Sequence, residues 1–328
     1  MFIKLFKSGY SLQLIVLFVV AILLWVPSFI QPLSASHEYS PAPFYNYVYY
    51  FLRKLPFLQI IIAFLLIIIE AFLLNKILIN NRVIRKNTFM TAFVYIILMS
   101  QNPELHTLYP ALLSNFLLII AFYYILKLYN ETEAYAQVFN AGFLIGIASL
   151  FYLPAIFFIF IMWIGLIIFS IFLWREWLIS LIGLLIPYLF LFVFYFWFDR
   201  LEDMIDNFFD FFRNIREFCF NLSVYQLIIL SIIALFVLLA INRILTLLNK
   251  KTISLRKKSI IMIWFFLISL ITVVYASDAG IKYLALTFVP TAILIAYYFS
   301  DIRKKLVIEI IFIVMMILIF MFRAFYHA

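Results

Sequence analysis

Three short polar stretches of an otherwise apolar chain carry the residues that could do chemistry. SQNPELHTLYP holds Gln101, Asn102, Glu104 and His106, SDAGIKY holds Asp278, Lys282 and Tyr283, and QPLSASHEYSPAPFYNYVYY holds His37 and Glu38. Converging, Glu38 and Glu104 would supply two carboxylates for acid–base or metal work, His37 and His106 two imidazoles, and Lys282 one cation suited to a phosphate. The competing reading is that polar loops at a membrane surface carry such residues only to stay wet. No HExxH, CxxC, Walker or GxGxxG pattern is present, so no metal-ligand set is assigned and no cofactor is called for, although two carboxylates are compatible with a divalent metal. The lone Cys219 excludes an internal disulfide and any cysteine-based cluster.

Glu70 stands apart, inside the apolar run FLQIIIAFLLIIIEAFLLNKILI. An intramembrane carboxylate costs about 2.5 kcal/mol or more unless paired or protonated, so it is expected to face protein. The other apolar runs supply mainly Asn115, Asn140 and Glu309 as polar company. That favours an interhelical hydrogen bond over a transport pathway.

The elements that must position these residues follow from composition. With 68% hydrophobic residues, 12% charged and a mean hydropathy of +1.16, the 328-residue chain has more apolar surface than a soluble core can hide. Continuous apolar runs of about 20 residues argue for helices and against a β-barrel. The reading is therefore an all-α, polytopic transmembrane bundle, residues 1–328 forming a single integral membrane domain. About eleven runs reach toward bilayer length, near 11–30, 56–79, 89–101, 109–128, 137–152, 154–173, 178–198, 225–243, 260–276, 282–299 and 306–323.

The net charge of +9 comes from basic clusters beside these runs, which set orientation and imply no nucleic-acid partner. Arg82, Arg85 and Lys86, Lys127, Arg175, the Arg243–Lys258 group and Arg303–Lys305 fall in alternate connections; most acidic residues fall in the others. The positive-inside tendency then places the N-terminus in the cytoplasm and the C-terminus outside, with Arg53 and Lys54 as the exception. Met1–Ile30 has a basic start and an apolar stretch longer than a signal peptide's, so it reads as a retained first helix. Between about 200 and 220, apolar residues recur at helical spacing opposite a charged face, as in an interfacial amphipathic helix. Gly142 and Gly146 form a GxxxG that would admit a close helix neighbour.

Four stretches resemble the GT-C superfamily of polytopic lipid-linked glycosyltransferases: MSQNPELHTLYPALLSNFLLIIAFYYILKLY, AGFLIGIASLFYLPAIFFIFIMWIGL, WREWLISLIGLLIPYLFLFVFYFW and SDAGIKYLALTFVPTAILIAYYFSDIRKK. The resemblance implies transfer of a sugar from a polyprenyl-phosphate-linked donor at the outer leaflet of a bacterial inner membrane, in cell-envelope biogenesis. Glu104 would match the acidic motif of the second outer loop, and Glu38 is the candidate for the first-loop acid; both become catalytic candidates. Lys282 would match the late basic residue near the donor phosphate, with Tyr283, Asp278, His106 and His37 as further donor or substrate contacts. The chain departs from the pattern where NPE stands in place of a pair of acids.

Two other classes compete. A non-catalytic scaffold or subunit of an envelope complex would use the 200–220 helix or an exposed membrane face for protein partners. A transporter would place Glu70 in a cavity that crosses the bilayer.

Overall fold

A computed structural model describes residues 10–32, 43–84, 88–131, 133–202, 205, 208, 223–275, 281–301 and 312–320. Among them every regular element is helical and no strand occurs. In chain order the helices are α1 (Tyr10–Ile30), α2 (Pro43–Leu52), α3 (Pro56–Asn80), α4 (Met90–Met99), α5 (Pro110–Lys127), α6 (Tyr135–Phe151), α7 (Ile159–Phe169), α8 (Trp174–Trp197), α9 (Val224–Leu247), α10 (Ile253–Val274) and α11 (Ala285–Asp301). Residues 312–320 are helical too.

Local chemistry sets several starts. Proline opens α2, α3 and α5, where its missing N–H is no loss. Ser223 and Gln226 form a reciprocal capping box that starts α9.

Among the described residues, seven helical segments are long and apolar enough to cross a membrane: Gln13–Ile30, Pro56–Asn80, Pro110–Lys127, Trp174–Trp197, Val224–Lys250, Ile253–Val274 and Ile281–Asp301. Three further apolar runs form the shorter helices Met90–Met99, Tyr135–Phe151 and Leu153–Phe169. The bilayer-length rule does not bind α4, because every residue from Met90 to Met99 is buried in protein. Ten residues rise only about 15 Å, and the irregular backbone at the ends of α4 is shielded from lipid by its neighbours.

Burial identifies centre and rim. In Ile281–Asp301, 89% of the apolar stretch is buried, against 28% in Trp174–Trp197. Helix α11 packs on α4, α5, α9 and α10, so α4 and α11 form the middle of the bundle. On α8, Leu185, Leu189, Phe190, Phe196 and Trp197 are exposed, a surface that lipid would solvate. The proposed interfacial helix at 200–220 falls mostly outside the described residues, although residues 201, 202, 205 and 208 are helical.

The GxxxG pair draws α6 onto α8. A Cβ on Gly142 would stand 2.4 Å from the Ser180 carbonyl oxygen, and one on Gly146 would stand 2.6 Å from that of Leu184. Gly183 answers from α8, where a Cβ would meet the Phe139 carbonyl oxygen at 2.6 Å. These obstacles are backbone atoms, which cannot rotate aside, so the three glycines fix the approach of the two helices. Gly142→Val or Gly183→Val should therefore lower the thermal midpoint of the detergent-solubilised protein, by an overpacking cost of about 1–3 kcal/mol or more. Gly165→Ala, whose Cβ would meet only the Ile125 side chain at 3.1 Å, should cost less. Equal midpoints for all three variants and the parent would show that α6 and α8 do not approach as described.

Candidate functional site

The candidate site grows from the segment that joins α4 to α5. Asn102 caps the 3-10 turn Pro103–His106 by accepting from the Glu104 backbone N–H at 3.0 Å. The Thr107 hydroxyl closes the same turn by donating to the Glu104 carbonyl at 3.1 Å. Tyr45 of α2 donates to the Leu108 carbonyl at 3.0 Å, which ties the start of α5 to α2. Glu104 is thus held on a rigid turn, its side chain half-buried, while Pro103, Leu105 and His106 point inward.

His106 is fixed from α1. Its ring stacks on Trp25 at a centroid distance of 4.0 Å and an interplanar angle of 1°, and its Nδ1 lies 2.7 Å from the Ser28 hydroxyl. Trp25 in turn donates from its indole N–H to the Ser100 hydroxyl at 2.9 Å. The imidazole is 1% exposed, so it acts on its surroundings through this packed network. Trp25 and Ser28 escaped the sequence reading; their spacing of three residues, a tryptophan and a hydroxyl on one face of an apolar helix, was the available signal.

The second part of the site is the 3-10 turn Ile281–Leu284, which leads directly into α11. It packs against the Pro103–His106 turn, so the carboxylate-bearing and lysine-bearing turns meet at one end of the bundle. Lys282 and Tyr283 are both buried, and the Tyr283 ring lies 6.0 Å from that of Tyr152. Asp278, Glu38 and His37 lie outside the described residues. The fold therefore sets the turn that carries Glu104 beside the turn that carries Lys282 and Tyr283, with His106 packed behind the first turn. Among the described residues, no three His, Cys, Asp or Glu side chains converge as metal ligands.

Beneath the two turns lies a column of buried polar groups. The Tyr95 hydroxyl of α4 donates to Glu70 Oε2 of α3 at 2.6 Å. Asn115 of α5 interacts with Tyr95 and donates to the Ala285 carbonyl, at the start of α11, at 3.0 Å. Tyr109 stands at the start of α5. Glu70, Tyr95, Tyr109 and Asn115 are all at most 1% exposed. Several of their atoms, and those of the turn above, have no hydrogen-bond partner among the described residues: Glu70 Oε1, the Tyr109 hydroxyl, Asn115 Oδ1, the Asn102 amide nitrogen and the whole Gln101 carboxamide. Such groups are uncommon in native interiors and mark where polarity is retained at a cost in stability.

A family model described as a family of unknown function (DUF6427) matches residues 1–328. No curated protein and no solved structure matches the chain.

If the Glu70–Tyr95 bond pins α3 to α4, Glu70→Met and Tyr95→Phe should each destabilise the protein by about 1 kcal/mol, the scale of interhelical hydrogen bonds in membranes. Combining them should add little to the worse single change. Thermal unfolding in detergent reads this cycle, and strictly additive losses would show that the two side chains do not act as a pair.

Proposed function

The chain belongs to the DUF6427 family, and we propose that it is a polytopic integral membrane protein of about eleven spans that transfers a sugar from a polyprenyl-phosphate-linked donor at the outer leaflet. In this reading the N-terminus lies in the cytoplasm, the membrane is a bacterial inner membrane, and the product serves envelope biogenesis. The observation that carries the reading is the packing of the Pro103–His106 turn against the Ile281–Leu284 turn, which joins Glu104 and Lys282 in one region. A base and a cation on touching turns, at the mouth of an apolar bundle, suit a substrate that is a lipid at one end and a sugar phosphate at the other.

The roles follow from the groups. Glu104 accepts the proton of an acceptor hydroxyl. The acceptor oxygen then bonds to the anomeric carbon while the bond from that carbon to the donor phosphate oxygen breaks. The electron pair leaves on polyprenyl phosphate, whose charge Lys282 balances. His106, locked between Trp25 and Ser28, holds the Glu104 turn at its height. Gln101 and Asn102 offer amide donors and acceptors of the kind that bind sugar hydroxyls.

The test uses purified protein in liposomes with radiolabelled polyprenyl-phosphate sugars. Glu104→Gln should lower transfer about 10²- to 10⁴-fold, the usual contribution of general base catalysis, while leaving donor binding intact. Lys282→Met should weaken donor binding instead. Full transfer by Glu104→Gln would remove the glycosyltransferase reading. No transfer by the parent with every donor tried, but stable capture of a protein partner, would favour the scaffold.

A further inference from the structure

The opposite end of the bundle gathers cations around the end of α3. The helix closes with a Schellman arrangement: Arg82 N–H donates to the Ile79 carbonyl and Val83 N–H to the Leu78 carbonyl, each at 3.0 Å. The residue in the left-handed position of that arrangement is usually glycine, yet here it is Arg82 at φ 57°. A side chain in that conformation is strained, and this one carries a charge.

It is carried toward another of the same sign. Lys258, near the start of α10, is 8% exposed and donates from Nζ to Asn81 Oδ1 at 2.9 Å. Its ammonium lies 5.7 Å from the centroid of the Tyr129 ring, and Arg82 acts on it as a like charge. Lys257, beside it, reaches the Ser170 hydroxyl at the end of α7 at 3.4 Å. Among the described residues the partners of Lys257 and Lys258 are neutral: an amide, a ring and a hydroxyl. None of the three forms an ion pair among the described residues, and Glu131 and Glu133, in the loop after Tyr129, form none either. Arg243, at the same end, shows the alternative, since Asp301 accepts from it at 2.9 Å.

We propose that Arg82, Lys257 and Lys258 form a binding site for a phosphate-bearing anion, the headgroup of an anionic phospholipid. Unpaired cations held together by neutral groups repel one another until an anion enters between them. A lipid suits the surroundings better than a free anion. Directly after Ser170 the chain exposes Phe172, Leu173 and Trp174, an apolar and aromatic strip fit to lie along acyl chains at the membrane boundary. Basic pockets between transmembrane helices hold anionic headgroups by this combination of charge and apolar wall.

Native mass spectrometry of the full chain in detergent, titrated with phosphatidylglycerol, phosphatidylcholine or inorganic phosphate, tests the site. Phosphatidylglycerol should bind in preference to phosphatidylcholine, and each of Arg82→Gln and Lys257→Gln should weaken it about fivefold, from the usual contribution of one cation near an anionic surface. Both side chains avoid the buried contacts of Lys258, so these variants should fold. Arg243→Gln, which removes a cation already neutralised by Asp301, should leave the affinity unchanged. Undiminished phosphatidylglycerol binding in Arg82→Gln and Lys257→Gln would overturn the proposal. Binding of inorganic phosphate as tight as that of the lipid would overturn the choice of a headgroup.

Discussion

Everything in this bundle depends on helices α4 and α11 being enclosed by protein rather than lipid. A polar atom that faces hydrocarbon is costly, and a helix shorter than the bilayer cannot span it alone. Inside a ring of other helices neither restriction holds. α4 can be ten residues long, and its chain can turn back as a 3-10 segment at its end, because α1, α3 and α11 pack against it. The same enclosure allows Glu70, Tyr95 and Asn115 to be buried together, where an isolated carboxylate would be expelled.

Fold class was legible in the sequence because hydropathy alone decides it. Among the described residues seven of the apolar runs reappear as membrane-length helices and three as shorter ones, and GxxxG showed where two helices could approach closely. Hydropathy could not separate centre from rim. MTAFVYIILM and IGLLIPYLFLF are about equally apolar, yet the first is wholly enclosed and the second faces outward along much of its length. In a membrane both environments favour the same residue types, so composition carries no record of which neighbour a helix has.

The candidate site was legible in part, and for a related reason. Charged residues such as Glu104 and Lys282 stand out against an apolar chain, so the two turns could be named. Their meeting could not be read, because about 180 residues separate them and only the packing of α4 and α5 against α11 brings the turns together. Trp25, Ser28 and Tyr95 were hidden more deeply. Each looks like an ordinary member of an apolar helix until its hydrogen bond is seen. The cations at the other end reverse the case: their charge was plain, but the left-handed backbone at Arg82 belongs to local geometry that sequence pattern does not report.

The buried polar contacts answer a difficulty that an apolar bundle creates for itself. Leucine and isoleucine faces slide past one another at little cost, since lipid tails solvate them as well as another helix does. A site built from two turns on different helices needs their heights fixed, and apolar packing alone fixes height poorly. Tyr95 on Glu70 sets α4 against α3, and Asn115 on the Ala285 carbonyl sets α5 against the start of α11. The Ala285 contact lies one residue past the turn that holds Lys282, and the stack of Trp25 on His106 sets α1 against the turn that holds Glu104. Each pin acts near one of the two turns, so the polar groups that cost most to bury are those that hold the two turns at matching height.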